Sequence, residues 1–457
     1  MLASFMSSQG WDFKSLNVPE NLAALIQTDS RKAGPGQWFV PIVGENHDAH
    51  DFVEKACALG ASGFFYARDR ASKIKPELLA RGIAVDDTYK AVQDLAKWWR
   101  AEHQHCQVIG ITGSSGKTSV KELCAEMLKS LGSTLKTAGS LNNELGVPLT
   151  LLQLTDEHKF AVIEMGARHK GDIAFLSNIV QQNVGVLINV GTAHVGEFGG
   201  REAVLTAKME IAQADRSVYF RDDERIHDAM QKKAKQSLSF GRHPKADVRI
   251  LQESCDSQGQ LQIELSIKGQ THAFVLPYFH EVYGLNVACV LAIAESLSLP
   301  IDACIKGLKA YNGIKGRFQV HRLPDYTLID DAYNANPQSM LAGLETLRKA
   351  YPSKRKVLIL GDMRELGEET EHAHREIGAY CAKDLKPELL VSVGESSQWM
   401  HEAAKANGLG SDRLLHYASV EEVLPKLKDL VKRGDLLYVK ASNGLKLFKI
   451  IDTLLAT

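Results

Sequence analysis

Gly113-Ser114-Ser115-Gly116-Lys117-Thr118-Ser119 is a run of glycines and hydroxyls closed by a lysine. It follows the apolar Val108-Ile109-Gly110-Ile111 and precedes apolar residues at helical spacing: Val120, Leu123, Cys124, Met127, Leu128 and Leu131. A strand entering a loop that opens a helix can bind phosphate. Glycines let backbone N–H groups turn towards phosphate oxygens, and the helix N-terminus adds a favourable dipole. Lys117 would then reach the β- and γ-phosphates, and Thr118 would ligate Mg²⁺. The spacing departs from the full phosphate-loop pattern, because Ile111 stands where that pattern has its first glycine. A flexible turn before a helix is the plainer alternative; the strand–loop–helix context favours a nucleotide.

Other candidate groups fall at strand ends. Glu164 closes the apolar run Phe160-Ala161-Val162-Ile163, and a carboxylate there is costly unless charge or hydrogen bonds compensate. In doubly wound folds that end faces the ligand crevice. Glu164 therefore reads as a second Mg²⁺ ligand or as a solvated strand end. His194 follows the strand-like Val186-Leu187-Ile188 and a Gly191 loop, and alone it would read as a surface histidine. Lys208, in Leu205-Thr206-Ala207-Lys208-Met209, alone reads as a helix-surface lysine. In Ile329-Asp330-Asp331-Ala332-Tyr333-Asn334-Ala335-Asn336-Pro337, Asn336 fits an N-cap and Pro337 the first helical position, which leaves the two aspartates unexplained. Gly361-Asp362-Met363-Arg364-Glu365-Leu366-Gly367-Glu368 is a second polar strand-end loop.

These groups need a scaffold of alternating strands and helices. Strands are expected at Val108–Ile111, Phe160–Met165 and Val184–Val190, which implies a mostly parallel, doubly wound α/β sheet. Before them, short apolar runs at Trp38, Gly63–Tyr66 and Gly82–Val85 alternate with helices, one spanning Tyr89–Arg100. Residues 245–278, with Gly259 and Gly269 as turn signals, read as an antiparallel excursion, and an apolar helix follows from about Asn286 to Leu297. A second α/β series starts after Gly316-Arg317, with strands at Thr327–Ile329, Lys356–Leu360, Leu389–Val393 and Leu436–Val439. The expected division is 1–103, 104–317 and 318–457, in keeping with about 150 residues per domain.

Composition excludes several classes. Fifty-four Lys and Arg against 55 Asp and Glu leave a net charge of −1, which argues against a nucleic-acid wrapper. The seven cysteines show no C-x-x-C pair, as expected for a reducing compartment. No leader-like N-terminus and no run of about 18 apolar residues is found, so a cytoplasmic protein without membrane insertion is expected.

Taken in order, the motifs resemble the Mur ligase family, the ATP-dependent amide-forming enzymes of peptidoglycan synthesis. The resemblance begins with Thr28-Asp29-Ser30-Arg31, Pro35-Gly36 and His50-Asp51-Phe52. It runs through the phosphate loop, Leu141-Asn142-Asn143-Glu144-Leu145-Gly146-Val147-Pro148, Glu164-Met165-Gly166-Ala167, Asn189-Val190-Gly191 and Ala193-His194. The Asp330–Pro337 and Gly361–Glu368 loops resemble the branch that adds a dipeptide. This resemblance implies an N-terminal UDP-sugar domain, a central ATP domain and a C-terminal Rossmann-like domain that closes over ATP and binds the dipeptide. It implies joining D-alanyl-D-alanine to a UDP-N-acetylmuramoyl tripeptide through an acyl phosphate, by a monomer. ATP and Mg²⁺ are implied, with two metal sites.

By resemblance, Thr118, Glu164, His194 and a carbamoylated Lys208 would hold metal. Gly113 to Ser119, Asn286, Arg317, Asp331, Tyr333 and Asn334 would contact ATP. Lys117, Lys208, His194 and Arg317 would act in catalysis, and Ser30, Arg31, Asn142, Asn143 and Asn336 would bind substrate. The chain departs from the family at Leu285 (usually His), Met209 (usually Gly), Ser140 (usually Asn) and Lys440-Ala441-Ser442-Asn443 (usually Lys-Gly-Ser-Arg). The competing readings are a single-amino-acid or folylpolyglutamate-type amide ligase, and a non-catalytic nucleotide-binding homologue.

Overall fold

The computed structural model describes residues 1–13, 16–44, 47–191, 200–256, 259–277, 279–311 and 313–456. Four short parallel strands, β1 (Ile26–Gln27), β2 (Trp38–Phe39), β3 (Gly63–Ala67) and β4 (Gly82–Val85), form the first sheet in sequential order. The helix Thr88–Glu102 follows. Its start is set by Asp87, whose carboxylate accepts from the N–H groups of Tyr89 and Lys90 at 2.7 and 3.2 Å. Its apolar stripe of Ala91, Val92, Leu95 and Ala96 is buried.

The next six strands are β5 (Gln107–Thr112), β6 (Thr134–Lys136), β7 (Phe160–Glu164), β8 (Val184–Leu187), β9 (Arg216–Phe220) and β10 (Gln236–Gly241). They are parallel in the order β10-β9-β8-β5-β7-β6. Helices cover parallel sheets on both faces, which is why β7 and β8 are buried at every residue and read as unbroken apolar runs. From β5 the chain crosses to edge strand β6, returns through β7 and then moves to β8 on the other side. The C-terminal end of β5 is therefore the switch point of the sheet. Trp11, Phe65, Val92 and Leu95 share one core with Val108, Ile163 and Leu187, so the first sheet and the phosphate-loop sheet are packed together.

Three antiparallel strands follow: β11 (Val248–Cys255), β12 (Leu261–Ile267) and β13 (Gln270–Leu276). Gly259 and Gly269 lie in the turns between them, as expected, and β12 alternates buried and more exposed residues. The last sheet has the order β14-β15-β19-β16-β17-β18. Its strands are β14 (Gln319–Arg322), β15 (Thr327–Asp331), β16 (Lys356–Gly361), β17 (Leu389–Val393), β18 (Leu414–Tyr417) and β19 (Leu436–Lys440). β14 is antiparallel to β15 and the rest are parallel, with a core on each face.

The chain forms two compact units, Met1–Phe240 with Ala292–Cys304, and Gly241–Leu291 with Ile305–Thr457. No described helix is long and apolar enough to cross a membrane. The strand expected at Val184–Val190 stops pairing at Leu187, and Asn189 turns away to another task. Strands β1, β6, β9, β10, β14 and β18 were not expected. Arg216 and Ser217 open β9, and polar residues alternate along Gln236-Ser237-Leu238-Ser239 of β10, which masks the apolar signal.

Candidate active site

Ile111, where a first glycine would stand in the full phosphate-loop pattern, is a fully buried residue of β5 paired with Glu164 of β7. The loop begins after it, so a side chain here is needed for the core. The loop turns at Gly116, whose φ of +79° suits glycine and which caps the helix Lys117–Lys129. Asn189, arriving from β8, holds the loop. Its Oδ1 accepts from the N–H groups of Ser114 and Ser115, each at 3.1 Å, and its Nδ2 donates to the Ser115 carbonyl at 3.1 Å. Gly191 N–H donates to Ser114 Oγ at 2.9 Å.

Two lysines converge on one oxygen of this loop. Lys117 Nζ donates to the Gly113 carbonyl at 2.8 Å, and Lys208 Nζ to the same carbonyl at 3.3 Å. Lys208 ends the helix Arg201–Lys208 and is buried. Burial, and secondarily the charge of Lys117, bring its pKa down to about 7. An amine in that range is substantially neutral at neutral pH and can act as a nucleophile. Met209, where the resemblance would lead to glycine, has φ −65°, so no glycine is demanded there.

Behind the loop, Glu164 is 1% exposed. Thr118 Oγ1 donates to its Oε2 at 2.9 Å, and Asn142 Nδ2 to its Oε1 at 2.8 Å. A hydroxyl and a buried carboxylate one hydrogen bond apart make a hard oxygen pair of the kind that suits Mg²⁺. The solvated strand-end reading of Glu164 fails, since water does not reach it. Lys121, one turn beyond Thr118, is fully buried with its Nζ 3.8 Å from Glu164 Oε2. The sequence reading missed it; a lysine among Val120, Leu123 and Cys124 on a buried helix was the available signal. His194 lies outside the described residues, and among those described no cluster of three or more His, Cys, Asp or Glu side chains could hold a metal.

The expected substrate residues are distributed differently. Ser30 and Arg31 lie after β1, and Arg31 Nε and Nη2 pair with Asp29 Oδ1 and Oδ2, each at 2.9 Å. Asn142 joins the Glu164 cluster. Asn143 Oδ1 accepts from Gly146 N–H at 2.8 Å at the start of the helix Gly146–Leu151.

In the second unit, β15 delivers Asp330 and Asp331 to a sheet end. Asp331 Oδ2 accepts from Tyr438 OH and from Lys440 Nζ, each at 2.8 Å, and Oδ1 accepts from Phe318 N–H at 3.1 Å. Phe318 is held there at φ +54°. Asp330 accepts from the N–H groups of Gly316 (2.8 Å) and Ala332 (3.2 Å), and burial raises its pKa. The guanidinium of Arg317 lies 4.4 Å above the Tyr333 ring. Asn334 offers its carbonyl to Lys440 Nζ at 3.1 Å. Asn336 caps the helix Pro337–Ala350 with Ser339 in a reciprocal capping box, so its side-chain oxygen is already engaged. Asn286 lies in the first turn of the helix Tyr283–Ser296, nearly buried. In the divergent Lys440–Asn443 segment, Ser442 Oγ accepts from Arg364 N–H at 2.9 Å, and the Arg364 guanidinium fills the space a side chain on Gly444 would need.

The sequence model of the Mur ligase middle domain matches residues 111–294, and that of the Mur ligase glutamate ligase domain matches residues 316–443. The UDP-N-acetylmuramoyl-tripeptide–D-alanyl-D-alanine ligase of Bacillus subtilis is 32% identical over 435 residues, spanning 94% of this chain and 93% of that protein. The chain belongs to the Mur ligase family. Crystal structure II of MurF from Acinetobacter baumannii superposes with a TM-score of 0.87 at 31% identity, covering 100% of this chain and 98% of that one. MurF ligase from Thermotoga maritima in complex with ADP superposes with a TM-score of 0.81 at 27% identity, over 95% and 98% of the two chains. The Mur ligase middle-domain match begins at Ile111 and includes the phosphate loop, Glu164 and Lys208; the glutamate-ligase match includes Arg317, the aspartate pair and Lys440.

Proposed function

We propose that this Mur ligase adds D-alanyl-D-alanine to a UDP-N-acetylmuramoyl tripeptide, consuming ATP and giving a pentapeptide precursor, ADP and phosphate. The observation that carries the reading is the convergence of Lys117, Lys208, Thr118 and Glu164 around the loop after β5. Likeness to MurF along nearly the whole chain supports the choice of substrates.

A carboxylate is a poor electrophile, and oxide is a poor leaving group. The tripeptide carboxylate oxygen first attacks the γ-phosphorus, and the bond to the ADP oxygen breaks. The dipeptide amine then attacks the acyl carbon and loses a proton, and phosphate leaves. Loop N–H groups and Lys117 offset phosphate charge during transfer, where positioning and electrostatics dominate. Arg317 adds a guanidinium charge for the γ-phosphate, and Asn286, Asp331, Tyr333 and Asn334 contact the nucleotide. Mg²⁺, held by Thr118 and Glu164, would supply charge neutralisation of the phosphates. Lys208 bears a carbamate in this reading, which turns a cation into an oxygen ligand for a second metal; His194 would be its partner. Ser30 and Arg31 serve the UDP-sugar, and Asn142, Asn143 and Asn336 the peptide substrates. Residues 1–103, 104–317 and 318–457 would divide these tasks, in a cytoplasmic monomer.

Phosphate release measured with each substrate omitted in turn tests the reading. Turnover that requires ATP, the UDP-tripeptide and D-alanyl-D-alanine together is expected. No turnover from folded protein would leave a nucleotide-binding homologue, and turnover with a single amino acid in place of the dipeptide would indicate another amide ligase. Comparing diaminopimelate- and lysine-containing tripeptides would identify the third residue.

A further inference from the structure

Lys121 is fully buried, and its ammonium is spent on four oxygens. Nζ donates to the carbonyls of Thr137 at 2.8 Å and Gly139 at 2.7 Å, and faces Glu122 Oε1 at 3.1 Å and Glu164 Oε2 at 3.8 Å. Burying an ammonium is expensive, and an apolar side chain of similar size often stabilises a core at least as well. Fold stability alone therefore gives little reason for a lysine at this position.

Its surroundings supply one. Thr118 and Lys121 are three residues apart on one helix, so their side chains share a face. That face meets Glu164, whose Oε2 takes the Thr118 hydroxyl on one side and the Lys121 charge on the other. Glu164 N–H also donates to Thr137 Oγ1 at 3.0 Å, while Lys121 holds the carbonyl of the same residue. The tethered Thr137–Gly139 segment leads directly to Asn142, which holds Glu164 Oε1. Glu122 does not absorb the lysine charge alone, because it is shared with Lys136.

We infer that Lys121 is a positioning residue for Glu164: it fixes the carboxylate's orientation and balances its buried charge, so that the Thr118–Glu164 pair is ready for a divalent cation. The inference rests on the nucleotide and Mg²⁺ reading above. It is tested by the affinity of the full chain for ADP, measured by calorimetry in EDTA and again in Mg²⁺. The ratio of the two affinities reports the metal's contribution without any need for turnover. Lys121→Met is expected to lower that ratio about 10–100-fold, the usual effect of removing an outer partner of a metal ligand, while ADP binding in EDTA stays near wild type. Lys121→Arg, which keeps the charge, should restore most of the ratio. If Lys121→Met does not fold, Lys121→Gln carries the test, because its amide still donates to a carbonyl but has no charge; the same loss is expected. An unchanged ratio in a folded neutral variant overturns the role of Lys121 alone. Failure of the wild-type chain to bind ADP overturns the nucleotide reading and this inference with it.

Discussion

Lys117 and Lys208, 91 positions apart in the chain, donate to the same oxygen, the carbonyl of Gly113, at 2.8 and 3.3 Å. Two ammonium groups share that acceptor at the mouth of the phosphate loop. Their repulsion, added to the burial of Lys208, favours its neutral amine, the form that reacts with CO₂.

Lys208 should therefore take up CO₂ at ordinary pH. Labelled bicarbonate is expected to give a carbamate signal by carbon NMR near pH 7, where a lysine of ordinary pKa near 10.4 is almost wholly protonated. Lys208→Ala should lower turnover about 10–100-fold, and short carboxylates should restore part of it. Wild-type rates without rescue would remove Lys208 from the mechanism.

Asn189 braces the phosphate loop through both ends of its amide. Asn189→Ala removes these bonds at a partly exposed site, so the unfolding temperature should change little. The loop, however, loses its preset shape. Three lost hydrogen bonds at about 1 kcal/mol each amount to about 3 kcal/mol, so the KM for ATP should rise on the order of 100-fold if the whole loss falls on binding. Steady-state kinetics at saturating second substrates would show this, and an unchanged KM would mean that the loop keeps its shape unaided.

Lys440 is the only cation bonded to Asp331 among the described residues, and both side chains are buried. Lys440→Met leaves the carboxylate with Tyr438 OH and Phe318 N–H but no opposite charge. Breaking a buried pair in this way costs about 3–5 kcal/mol. Urea unfolding followed by Tyr fluorescence or circular dichroism is the measurement. A loss below about 1 kcal/mol would show that the carboxylate is neutralised in another way.

His280 packs edge-on against Phe318 with ring centroids 4.6 Å apart. Burial lowers its pKa from 6.5 to about 4, with Asp331 opposing the shift and Lys440 adding to it. Between those values the unfolded chain binds a proton that the folded chain does not. Stability is thus fully present above pH 6.5 and falls as pH drops towards 4. His280→Gln should flatten the unfolding temperature over that window. A wild-type slope retained in the variant would assign the acid sensitivity to other groups.

Much of this was legible from residue order. The strand–loop–helix setting of Gly113 to Ser119 was readable because a strand, two glycines and a Lys-Thr pair occupy contiguous positions, and β5 and the helix Lys117–Lys129 flank the loop. Pro337 after Asn336 announced a helix start, and the capping box is there. The parallel strands β7 and β17 were readable because burial on both faces demands unbroken apolar runs. Polar-rich β9 and β10 were not, since their burial comes from neighbours that are distant in sequence.

Local chemistry in the sequence determined the phosphate loop, the α/β alternation and, through the ordered motifs, the family. Only the tertiary structure decided that Glu164 is buried between Thr118, Asn142 and Lys121, and that Asn143 Oδ1 accepts from the Gly146 N–H. It also decided that Lys208 is a buried, weakened base and not a surface lysine. The physical reason is that a side chain's charge state and hydrogen-bond partners depend on what surrounds it in space. For Lys208 those surroundings come from Gly113 and Lys117, which lie more than ninety positions away along the chain.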